Sequence, residues 1–372
     1  MKSRSIIISI LLILMLSACS QSLPTHQQTP SNKDVSIPEL PPPTPFSTST
    51  ITRTPFSPKH PTAICSPAPV PTAEQNQDRY LSELLRISTI TSDFEVYSLT
   101  LSPNDDILAW GEGSNIYLWN LNENQLLRML EGHTGTISYL EFSPDGKLLA
   151  SGGGYPDASV RLWDVSSGNQ LFVFEGQPQR VTNITFDVDG AVIAFGGEDG
   201  TVRVWDVGTG EFHNSYAGSS VAFSADGQKM ALGQKNGEVR LLDLSNDQLP
   251  HVFKEGHTGE ITSVAFADHD RILAATSGLH LRLWDTASGE LLHKFWGQFI
   301  GWMLDFDFNV NDDVVAFAGK EKYVYLSNFV TGELIDVLPD IGTRVAFSSD
   351  GRKLVVAGGW DNPITIWVVQ ED

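Results

Sequence analysis

The sequence predicts an all-β fold: a seven-bladed β-propeller of four-stranded antiparallel blades, preceded by a signal peptide and a disordered linker. Three observations carry the prediction. An apolar residue before a turn recurs seven times, at Leu101, Phe142, Phe186, Phe223, Phe266, Phe308 and Phe347. A second marker, usually tryptophan, gives the same count at Trp119, Trp163, Trp205, Leu242, Trp284, Ser327 and Trp367. Both series are spaced 37 to 44 residues apart, the period of four short strands per blade. The third observation is at the ends. The last unit stops at "ITIWVVQED", with no residues left for a fourth strand, while Leu84-Leu85-Arg86 falls on Leu126-Leu127-Arg128 of the next unit. Residues 84–90 therefore complete the last blade and leave no open seam.

Along the chain, the first segment is Lys2 and Arg4, an apolar run over 6–16 broken only by Ser9, then Ser17, Ala18 and Cys19. A basic head, an apolar run and small residues make an export signal. Eleven residues of helix cover about 17 Å, too short for a hydrocarbon core of about 30 Å. Leu16-Ser17-Ala18-Cys19 resembles the lipobox of bacterial lipoproteins. The resemblance implies that residues 1–18 are a discarded signal peptide and that the thiol of Cys19 carries lipid. Acyl chains such as palmitate then anchor the protein to a bacterial membrane, with the rest of the chain extracytoplasmic. The alternative is an ordinary secretory signal that contains a cysteine. With Cys19 acylated, Cys65 is left as a lone thiol, idle or paired with another molecule.

Residues 19–78 change character. Thirteen of the twenty prolines lie within residues 24–71, among many Thr and Ser and without apolar periodicity. Such composition buries no core and favours extended conformers, so it is expected to be a disordered tether. A proline-based recognition motif is the alternative.

The propeller occupies residues 79–372. Its clearest unit is "GHTGTISYLEFSPDGKLLASGGGYPDASVRLWDV". Ile137, Leu140 and Phe142 suit a buried strand, Ser-Pro-Asp-Gly a tight turn, and "SVRLWDV" a strand of alternating exposure. Each blade has two apolar faces that only its neighbours can cover, so the ring is the folding unit. These units resemble the WD-repeat family over nearly all of residues 82–372. The resemblance implies a binding scaffold and assigns His133, Ser151, Asp157 and Trp163 to a structural hydrogen-bonded tetrad. Ser, His and Asp in one unit also invite a catalytic reading. Other units lose the set: the third has Gln177 at the histidine position, and the fifth keeps His257 but has Gly278 where the aspartate belongs. A series that fades in this way suits structure better than catalysis.

No catalytic residues, cofactor or metal site are expected. "DFDFNVNDD" lacks the glycine and glutamate of a calcium loop, and Asp305 and Asp307 alternate with Phe306 and Phe308 as on a strand. With 45 acidic against 24 basic residues the net charge is −21, which argues against nucleic acid and against anionic headgroups. Protein partners of unknown identity are expected, reached by a monomeric propeller through its rim loops. Units whose loops turn apolar supply the candidates: Trp296, where other units carry Glu131, Glu175 or Glu255, then Phe299 and Trp302, Trp360, and Tyr155 in a loop enlarged by "GGYP". For Trp296, Trp302 and Trp360 a place in the core is the alternative. An envelope enzyme or small-molecule binder with a site at the channel mouth is the second functional reading.

Overall fold

A computed structural model describes residues 84–369, apart from 91–94, 178, 246–249, 254–256, 297–302, 310, 312, 320–322, 339–341 and 359–362. The expectations for the signal, Cys19, Cys65 and the tether lie outside the described residues. Among the described residues, 28 strands form seven four-stranded antiparallel sheets. Blades 1 to 6 span residues 96–130, 137–174, 181–217, 220–252, 263–296 and 303–338. Blade 7 takes three strands from 344–369, and its outer strand is Leu84–Ile90, paired antiparallel with Ile364–Val369 from Leu84↔Val369 to Ile90↔Ile364. The ring closes as the sequence predicts.

Burial follows from the geometry. Each second strand is covered on both faces, and Ile272–Ser277 and Val314–Gly319 are buried at every residue. The outer strands face solvent, as Phe212–Ala217 does along nearly its whole length. Among the described residues, seven hydrophobic cores lie at the seven junctions between blades. Ala109, Ile116 and Leu118 of blade 1 pack with Ile137, Leu140, Leu149 and Trp163 of blade 2. At the closure, Leu108 and Trp110 of blade 1 meet Val355, Ile364 and Ile366 of blade 7. Burying each such side chain is worth about 1.5–3 kcal/mol, and a lone blade would forfeit most of it.

The turns after the inner strands also tie blades together. In blade 2, Ser143-Pro144-Asp145-Gly146 closes on itself: Gly146 N–H donates to Ser143 O at 2.8 Å and Ser143 Oγ to Asp145 at 2.8 Å. Gly146 has φ +68°, which glycine adopts freely. Blades 1 and 5 place Asp105 and Asp270 at that glycine's position, with φ of +58° and +65°. Each carboxylate reaches the turn of a neighbouring blade. Asp105 accepts from Ser349 N at 2.8 Å and Ser349 Oγ at 2.8 Å, across the closure. Asp270 accepts from Ala225 N at 2.8 Å and Asp226 N at 3.0 Å.

Candidate functional site

Blade 2 brings its four polar residues together. Ser151 Oγ lies 2.7 Å from His133 Nε2 and accepts from Trp163 Nε1 at 2.8 Å. His133 Nδ1 sits 3.2 Å from Asp157 Oδ2, close enough to attract, though the ring N–H is not squarely aligned on the carboxylate. Asp157 also accepts from Thr134 N at 2.5 Å and from Ser159 N at 3.1 Å. Burial holds the His133 pKa down at about 4, against the pull of Asp157. For Asp157, burial pushes upward, but bonds from Ser159 and Thr134 and the nearby His133 outweigh it and leave about 2.

The order Ser–His–Asp is that of a nucleophilic triad, yet its surroundings do not suit one. Ser151 is 0% exposed in a central strand, and its oxygen already takes the indole N–H. The serine also separates blade 2 from the others, because its position holds Trp110, Phe195, Leu232, Ala275, Phe317 and Val356 in the remaining blades. Trp119 Nε1 and Trp205 Nε1 accordingly have no hydrogen-bond partner among the described residues. His257 Nε2 meets the carbonyl of Ala275 at 3.0 Å instead of a serine.

The rim candidates are placed unevenly. Tyr155 is 86% exposed in the loop joining the second and third strands of blade 2. Trp296 ends the outer strand of blade 5, its backbone opposite His280, and its side chain lies outside the described part. Phe299, Trp302 and Trp360 also lie outside the described residues.

The channel wall holds groups that the sequence reading did not assemble. Inner-strand residues one and three places before each apolar marker face the axis. One ring is Thr100, Glu141, Thr185, Ala222, Ala265, Asp307 and Ala346; the other is Ser98, Tyr139, Asn183, Ser263, Asp305 and Arg344, with Ser220 at the same position fully buried against Val264 N. Tyr139, Glu141, Asp305 and Asp307 lie where two chambers meet, one of about 390 Å³ and one of about 430 Å³. Several of these side chains satisfy the free edge of the next inner strand. Asp305 accepts from Val345 N at 3.0 Å, Asp307 from Phe347 N at 2.7 Å, and Asn183 from Val221 N at 2.9 Å. Arg344 donates to Thr343 O at 2.7 Å and Tyr97 O at 2.5 Å.

These carboxyls are half-exposed to the channel but enclosed by protein on the other sides. Burial, then the charge of Asp307, raises Glu141 to about 8. Burial raises Asp307 to about 7 against the bonds from Phe347 N and Phe308 N. Asp305 reaches only about 6, because Arg344 opposes the burial. The wall can therefore hold and release protons near neutrality. The missed signal was available: counting back from each apolar marker picks out Glu141 and Asp307 as the acids of their ring.

Comparison with known proteins agrees with the architecture. The family described as the IFT122 first beta-propeller matches residues 95–343. A periodic tryptophan protein 2 homolog of Neurospora crassa is 39% identical over 56 residues, 14% of this chain and 6% of that protein. The homolog of Schizosaccharomyces pombe is 35% identical over 69 residues, 18% of this chain and 8% of its own. Pre-mRNA-processing factor 19 homolog 2 of Arabidopsis thaliana is 29% identical over 125 residues, 32% of this chain and 23% of that protein. The chain thus spans less than a quarter of the length of these curated relatives.

Proposed function

Because this chain belongs to the family of the IFT122 first beta-propeller, a WD-repeat propeller, we propose that it is a protein-interaction scaffold or adaptor that binds partners through its rim loops. We further propose that lipid on Cys19 holds it at a bacterial membrane, with the propeller outside the cytoplasm. The observation that carries the binding reading is Tyr155, a large aromatic held 86% exposed on the loop face. Exposed aromatics on a rigid rim supply contact area at little entropic cost. The lipid reading is supported by Leu16-Ser17-Ala18-Cys19 after an apolar run. The net charge of −21 favours a protein partner over nucleic acid.

The direct test is crosslinking in intact cells, capture of the protein from membranes, and mass spectrometry. A protein crosslinked through the rim, and lost with Tyr155→Ala and Trp360→Ala, is the expected result. A bound metabolite with no protein would reverse the choice. Cys19→Ala is expected to abolish labelling by a fatty-acid probe; persistent labelling would refute the anchor. A second reading, a small-molecule site at the channel mouth, draws on the chamber of about 390 Å³ lined by Arg180, Arg344 and Asp305.

A further inference from the structure

The dipeptide Asn-Gly occurs once in this chain, at Asn236-Gly237. The pair lies in the loop joining Lys229–Gly233 to Val239–Asp243, the second and third strands of blade 4. That loop is on the same rim as the loop of blade 2 that carries Tyr155. Asn236 stands six residues before the marker Leu242, as Asp157 does before Trp163 and Asp199 before Trp205. Blade 4 therefore begins with an amide where blades 2 and 3 have an acid.

The turn sets this amide against its own main chain. Asn236 is exposed, and its Oδ1 accepts from Glu238 N at 3.1 Å. Asn folds back in this way in many turns, and the ring so closed includes the nitrogen of Gly237. The Glu238 N–H draws charge onto Oδ1. It makes Cγ a better electrophile and stabilises the oxyanion that forms on attack. Gly237 has no side chain to hinder the approach. Its N–H is held by Gln234 O at 3.1 Å, while the matching bond of blade 3, from Gly200 N to Gly197 O, is 2.9 Å.

We propose that Asn236 is a self-modifying site on the rim of blade 4. Gly237 N attacks Asn236 Cγ, and the new C–N bond closes a five-membered succinimide. The side-chain nitrogen leaves as ammonia, taking the proton of Gly237 N. Water then opens the ring, at the side-chain carbonyl to give aspartate or at the main-chain carbonyl to give isoaspartate. The two products have different fates. Aspartate copies blade 3, where Asp199 accepts from Thr201 N at 3.0 Å and pairs with Arg203 at 2.8 Å. Blade 4 has Arg240 in the place of Arg203. Isoaspartate instead adds one carbon to the main chain of a loop fixed on both sides. A Cβ on Gly237 would stand 1.9 Å from His257 O, so the main chain there is pressed against the segment leading into blade 5. Gln234 O also accepts from Ile261 N at 3.0 Å, and Ile261 belongs to the core between blades 4 and 5. Isoaspartate therefore loosens that junction, and either product adds a negative charge to the rim. The site goes beyond the rim reading and does not depend on it.

The test ages the purified full-length protein in buffers from mildly acidic to mildly alkaline and maps its peptides by mass spectrometry. Isoaspartate is labelled with isoaspartyl methyltransferase. Acid is expected at Asn236 before any other asparagine, and faster as pH rises. Asn236→Gln, which closes no five-membered ring, should stay a single charge form. The isoaspartate form, separated by anion exchange, should melt a few degrees below the fresh protein, whereas Asn236→Asp melts with it. An intact amide at Asn236 after a free peptide of residues 232–241 has converted would overturn the site, and so would earlier conversion at another asparagine. An isoaspartate form that melts like the fresh protein would overturn the link to blade 5.

Discussion

Blades 2 and 3 are neighbours with the same strand pattern, and they solve one interior problem differently. Blade 2 ties Trp163 to Ser151 and His133 in a paired polar network. Blade 3 replaces the serine with Phe195, which stacks on Trp205 with ring centroids 6.2 Å apart, and leaves the indole N–H without a partner among the described residues. Both blades keep the same register of central strands, Leu149↔Trp163 in one and Ile193↔Trp205 in the other. The apolar core between blades therefore sets the fold, and the polar network is an addition that one blade can carry and the next can drop.

The comparison is broken most severely from the blade 3 side. Phe195→Ser would give Trp205 an acceptor, yet it empties a fully buried ring from the core. We expect a net loss of about 3–5 kcal/mol in denaturant unfolding. A neutral or stabilising result would mean that the polar network outranks the core. Ser151→Ala in blade 2 should cost less, about 1–3 kcal/mol, because it leaves Trp163 Nε1 and His133 Nε2 unpaired with little lost volume. Equal costs for the two variants would erase the contrast.

Protons sharpen the same contrast. The folded-state pKa of His133 is depressed to about 4, below its ordinary 6.5. Between these values the unfolded chain binds the proton and the folded one does not, so stability falls as pH drops from 6.5 toward 4. His133→Gln copies blade 3 and should flatten that part of the melting-temperature profile. Glu141 and Asp307 act with the opposite sign. Their folded pKa values are raised to about 8 and about 7, so their contribution is full in acid and is lost as pH rises toward 8. Glu141→Gln should raise the melting temperature by a few degrees above pH 8 and change little at pH 5; thermal melts across pH 5–9 decide it. The smallest effect on stability is expected for Tyr155→Ala, within about 0.5 kcal/mol at so exposed a site, while partner capture falls. A large drop in melting temperature would make Tyr155 part of the packing after all.

Much of this was legible in the sequence because a repeat supplies its own controls. Seven aligned markers gave the blade count, and the likeness of Leu84-Leu85-Arg86 to Leu126-Leu127-Arg128 gave the closing strand. What was not legible depends on which blades face each other. Glu141 and Asp307 belong to different repeats, and their mutual repulsion exists only once the ring has closed. The loss of the tetrad was read from histidine and aspartate positions, whereas the decisive one is the serine position inside a central strand. The expectation for Asp305 and Asp307 stopped at strand alternation; their role on the edge of blade 7 needed the bonds to Val345 and Phe347.

The closing strand also imposes an order in time. Leu84 pairs with Val369, so the first strand of the propeller to leave the ribosome waits for the last before it has a partner. Loop-closure entropy makes so distant a pairing slow, and until it forms the seam core of Leu108, Trp110, Val355 and Ile366 stays incomplete. A nascent propeller missing that strand keeps the apolar surface open to chaperones and proteases, so its seventh blade acts as a completeness check on the six made before it.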